Sequence, residues 1–80
     1  MPGAGAESIL MIVLTGQVAE TVHHLYNGVP VNEIHLEMGL AKPTVRAHLQ
    51  AAHRTAGIWG EWNRNIRLCW LVSKGEVVLE

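Results

Sequence analysis

The chain contains no aspartate, a single cysteine, and no lysine or arginine before Lys42. Each scarcity excludes something. One cysteine permits no internal disulfide and fits a reducing compartment. It also leaves Cys69 without the second thiol of a metal-binding pair. There is no aspartate, no glycine-rich phosphate loop and no obvious nucleophile–base pair, so an enzyme is not expected. The apolar run Ile9–Leu14 is far too short to span a bilayer, and no basic residue precedes it as in a secretory signal. A cytoplasmic protein with no membrane partner is expected. The five histidines do not compose a metal site. His23 and His24 are adjacent and diverge on a helix, and His48 and His53 stand about 140° apart around one. Neither pair has the i, i+4 spacing of a zinc-binding helix, so neither a metal nor a cofactor is expected.

What remains is short and rather apolar. Eighty residues make one small domain, and a hydrophobic content of 49% allows a modest core. The net charge of -1 conceals an asymmetry. Residues 1–40 hold Glu7, Glu20, Glu33 and Glu37 with no cation, whereas Lys42, Arg46, Arg54, Arg64 and Arg67 crowd into residues 41–67 against Glu61 alone. A local basic face is what phosphate contact requires, and global charge matters less. Ordinary solvated side chains are the plainer explanation, but the clustering favours the functional one.

The basic stretch belongs to two predicted helices, within residues 31–58, that meet at Gly39. In the second, Val45, Leu49, Ala52 and Ala56 form one apolar stripe. Arg46, Gln50 and Arg54 recur every four residues on a neighbouring face. Ala47 and Ala51 are small enough to admit a close surface. Lys42, Pro43 and Thr44 mark the start and Gly57 the stop of a helix over Thr44–Ala56. In the shorter helix, Glu33–Met38, Ile34 and Met38 share a face, with Asn32 as the expected N-cap. Gly39 allows the left-handed backbone of a sharp turn.

Elsewhere the pattern is plainer. Residues 1–8 are small and expected to be disordered. Ile9–Leu14 is a strand or an early helical turn. Thr15 is placed to cap a helix over Gly16–Tyr26, with Val18, Val22 and Leu25 on one face and Asn27-Gly28 ending it. After a bend bearing Trp59 and Trp62, a helix is predicted from Asn63 to Ser73, within a partner segment spanning residues 63–74. Ile66, Leu68, Cys69, Trp70, Leu71 and Val72 are more apolar residues than one face buries. Either it packs on two sides, or Ile66, Cys69 and Trp70 meet another chain. The three tryptophans are most simply core or interface anchors, and base stacking is their weaker reading. Glu76–Leu79 is a candidate strand that could pair with Ile9–Leu14.

Leu14-Thr15, Gly28, Asn32-Glu33-Ile34, Gly39-Leu40, Thr44-Val45-Arg46, His48-Leu49, Arg54, Gly57-Ile58, Asn63-Arg64 and Gly75 together resemble the LuxR/GerE-type helix-turn-helix domain. The resemblance covers about residues 14–75. It departs from the family pattern at Ala41, where a serine cap is usual, at His35, where a small alanine is usual, and in the longer Trp59–Trp62 bend. It implies a single four-helix domain over residues 1–80, mainly α, with its third helix in the major groove and its fourth often at a dimer contact. Carried over by position, Arg46, Ala47 and Gln50 would face base edges. Lys42, Thr44, His48, Arg54 and Arg64 would lie on the phosphate side, and Glu33 would tie the second helix to its neighbour. For His48, a satisfied half-buried imidazole is an equal alternative.

The resulting expectation is a transcription regulator that binds double-stranded DNA as a homodimer, with another regulator or RNA polymerase as a possible protein partner. The alternative is a protein-binding antiactivator that uses the same fold to hold another regulator. Low net charge, an acidic N-terminal half and an over-apolar fourth helix motivate it.

Overall fold

The computed structural model describes residues 11–80. The expectations for residues 1–8, and for Ile9 and Leu10, lie outside the described residues. The elements in order are strand β1 (Ile12–Leu14), helix α1 (Gly16–Tyr26), a 3-10 turn (Val31–Glu33), helix α2 (Ile34–Met38), helix α3 (Lys42–Thr55), helix α4 (Arg64–Lys74) and strand β2 (Val77–Leu79). The described chain is mainly helical with one small sheet.

The helices begin and end close to their local signals. α1 has the expected bounds, although Thr15 makes no side-chain capping bond. Asn32 does not cap the second helix: the Glu33 N–H donates to the Pro30 carbonyl at 2.8 Å, closing a 3-10 turn that already contains Asn32. α2 therefore starts at Ile34, one residue later than expected, and Glu33 takes the N-cap position without a side-chain bond. Gly39 ends α2 at φ 67°, ψ 32°, and the Leu40 N–H returns to the His35 carbonyl at 3.0 Å. This left-handed step is costly for any residue with a Cβ, and it turns the chain directly into α3.

α3 starts at Lys42 rather than Thr44, because the N–H groups of Thr44 and Val45 both donate to the Ala41 carbonyl, at 3.0 and 3.2 Å. Ala41 offers no side chain to the remaining free N–H groups. At the other end, the Gly57 N–H meets the Arg54 carbonyl (3.1 Å) and the Ile58 N–H meets the His53 carbonyl (2.8 Å). This paired closure needs the left-handed Gly57, φ 74°, and drives Ile58 into the core.

Within the described part of the ambiguous N-terminal run, Ile12–Leu14 forms a strand. β1 pairs with β2 in parallel, in the register Ile12↔Val77, Val13↔Val78 and Leu14↔Leu79. Leu14 and Val77 point into the core while Val13 is exposed, so the pairing places one apolar face inward. Parallel strands need a long crossover, and here the helices between them provide it.

Two joined clusters form the core. Leu14, Ala19, Val22, Ala52, Ile58, Leu68 and Val77 make the larger one. Ile34, Val45 and Leu49 make the smaller, beneath the α2–α3 turn, and Leu25 packs against both. The α3 stripe thus buries Val45, Leu49 and Ala52, with Ala56 only half-buried. Buried Thr21 donates its hydroxyl to the Gln17 carbonyl at 2.7 Å and so leaves no orphaned proton in the core.

Two expectations are corrected. Glu33 ties nothing together: it is exposed, and among the described residues the ion pair is Lys74–Glu76, 3.0 Å. Of the two simple readings of the tryptophans, core or interface anchors, the core one is excluded, since Trp59, Trp62 and Trp70 are 70%, 80% and 59% exposed. Smaller residues, Ile58 and Leu68, take the interior positions beside them.

Candidate nucleic-acid interface

Along α3 each residue advances about 100° around the axis. Val45, Leu49, Ala52 and His53 occupy the buried side. Arg46, Gln50, Arg54 and Ala47 then follow in angular order around the opposite side, and all four are exposed. Lys42 and Thr44 are exposed at its first turn. The surface is therefore an arc of donors and cations with one methyl group at its edge.

A shallow cleft borders each half of this helix. Lys42 and Arg46 line the first, with Asn32 and His35 across from them. Gln50 and Arg54 line the second, with Trp59, Glu61 and Arg64. The fold thus brings Arg64, from another helix, to the side of Arg54. Half-buried His48 stands apart from this arc: its Nε2 lies 3.2 Å from the Gln17 Oε1 on α1. That contact gives the imidazole an intramolecular partner.

Beneath Arg54 and Arg64 lies a residue that the sequence did not single out as important. His53 is only 4% exposed, and its Nε2 donates to the Asn65 Oδ1 at 2.8 Å, linking α3 to α4. Nδ1 is buried without a partner. Burial holds the His53 pKa below its usual value; Arg64 and Arg67 push the same way, and the Asn65 bond opposes them. Burial thus favours the neutral imidazole. Its signal in the sequence is its place at the edge of the Val45–Leu49–Ala52 stripe. Arg67 was likewise counted only as a charge. Its Nη2 donates to the Trp59 carbonyl at 3.0 Å and pins the bend to α4.

The proposed partner face is on α4. Leu68 is fully buried, and Leu71 and Val72 pack against the core. Ile66 and Trp70 project from the other side and are 69% and 59% exposed. The Lys74 Nζ sits 4.1 Å from the centre of the Trp70 ring, a cation–π contact that covers part of the indole. Cys69 is half-buried, and burial pushes its thiol pKa up, away from a reactive thiolate.

Among the described residues no three histidine, cysteine or glutamate side chains come together as a metal-ligand set, and no helix is long and apolar enough to cross a membrane. Compared with protein-family models, with curated proteins and with solved structures, the chain has no match.

Proposed function

We propose that this protein is a sequence-specific DNA-binding transcription regulator of the LuxR/GerE helix-turn-helix kind, acting as a small dimer in the cytoplasm. The observation that carries this reading is the exposed arc Arg46–Ala47–Gln50–Arg54 on a helix set off by the sharp Gly39 turn. In such a domain α3 lies in the major groove. Arg46 would take a guanine O6 and N7, Gln50 an adenine N6 and N7, and Ala47 would touch a thymine methyl. Lys42, Thr44, Arg54 and Arg64 would hold phosphates and set the register. The test is fluorescence anisotropy of a mixed-sequence duplex at low and moderate salt, beside an Arg46→Ala/Arg54→Ala variant. Salt-sensitive binding that disappears in the variant supports the reading. No binding by the parent chain at low salt overturns it.

A second reading rests on the exposed Ile66 and Trp70. The two stand one helical turn apart on one face, and contiguous apolar surface of this kind is what association sites present; it suits an antiactivator that pairs with another regulator as well as it suits a homodimer. Loss of duplex binding together with retained capture of a regulator through α4 would favour it.

A further inference from the structure

The bend between α3 and α4 holds Trp59 and Trp62 mostly in solvent, 70% and 80% exposed, which the α3 reading leaves unexplained. This exposure is not the product of a loose backbone. Ile58 is buried and bonded through its N–H to His53, the Trp59 carbonyl accepts from Arg67, and Gly60 and Asn63 turn through left-handed conformations at φ 81° and 54°. The main chain is tied back at Ile58 and Trp59 while the indoles face outward. Trp59 lines the same cleft as Arg54 and Arg64, and Gln50 and Arg54 of that cleft also belong to the exposed arc of α3.

We propose that this bend is a second DNA-contacting element. Trp59 packs on the deoxyribose of the strand whose phosphates Arg54 and Arg64 hold, beside the groove that α3 occupies. The inference rests on the DNA reading of α3 and extends it. Two guanidiniums around an indole provide anion-binding donors and an apolar plate, the chemistry of a sugar–phosphate strand. A protein hot spot would use the same residue types. The charge of the cleft, two cations against Glu61, and its continuity with the α3 arc favour the polyanion. Glu61 works against the phosphates and should therefore limit affinity.

The test uses two full-length single-tryptophan proteins, Trp62→Phe/Trp70→Phe (reporting Trp59) and Trp59→Phe/Trp62→Phe (reporting Trp70), titrated with a mixed-sequence 20-base-pair duplex. Duplex should quench Trp59 emission and leave Trp70 unchanged. Trp59→Ala should weaken duplex binding about fivefold, near the lower limit for loss of one aromatic–nucleotide contact. Glu61→Gln should tighten it about twofold, a gain that misfolding cannot mimic. The inference falls, and the α3 reading stands, if the parent chain binds duplex while Trp59 emission and Trp59→Ala affinity do not change. Both fall if the parent chain does not bind duplex at low salt. Tighter binding of single strands, or a Trp59 signal that follows protein concentration without DNA, also overturns it.

Discussion

Acidification should loosen the joint between α3 and α4, and His53 is the group responsible. Its imidazole is 4% exposed and donates from Nε2 to Asn65. Protonation would place a charge at the buried, unpartnered Nδ1, close to Arg64 and Arg67. The folded pKa therefore lies below the usual 6.5. Well above pH 6.5 both folded and unfolded chains carry neutral His53, and the group adds no pH dependence. As the pH falls through that value, the unfolded chain takes up a proton that the folded chain resists. Stability drops until the pH reaches the lowered folded value. One proton limits the slope to about 1.4 kcal/mol per pH unit. The assay is urea unfolding of the parent chain and His53→Gln between pH 7.5 and 5.5. Glutamine can still donate to Asn65 but does not titrate. The stability difference between the two proteins should shift against the parent as the pH falls below 6.5. A difference constant across the whole range would refute the reasoning, as would an NMR titration of the His53 ring with its midpoint at or above 6.5.

Other outcomes test the core and the two exposed faces. Leu68→Ala, at a fully buried position of the larger cluster, should cost about 2–5 kcal/mol in urea unfolding. Against the 5–15 kcal/mol typical of domains, that is a large share of the total stability. Arg46→Ala should lose about 1–3 kcal/mol of discrimination between sites, whereas Arg54→Ala should weaken all duplexes alike and reduce the salt slope by about 0.9. Competition binding at several salt concentrations separates the two. On the proposal that α4 pairs two chains, Ile66→Glu/Trp70→Glu should leave the helical circular dichroism unchanged, since both residues are mostly exposed, and abolish the pairing in sedimentation. A dimer that survives this change would place the contact elsewhere.

Much of this chain could be read from short stretches of sequence. The α1 limits, the Gly39 turn, the Gly57 stop and the buried Val45–Leu49–Ala52 stripe follow from glycine's tolerance of positive φ and from helical periodicity. Those signals act over about one turn, so neighbouring residues suffice to reveal them. The exposed Arg46–Gln50–Arg54 face follows from the same periodicity once the stripe is placed. What that face binds is not a matter of period, and the Arg46 and Arg54 experiments address it.

Other features depended on distant residues. Glu76–Leu79 could be named from the sequence as a possible partner for the N-terminal apolar run, but strand against helical turn, and the parallel register, were decided only when Val77–Leu79 came to lie beside Ile12–Leu14. Asn32 lost its cap because the chain had already turned at Pro30. His53 and Arg67 gained their roles only when α4 folded back against α3 and the bend. The tryptophans could be core or interface residues by composition, and Ile58 and Leu68 took the interior and left all three on the surface. Local periodicity and backbone preference settled where the helices run. Only the packed chain decided which of their side chains meet each other and which meet water, because burial is a property of the whole fold and not of any one segment.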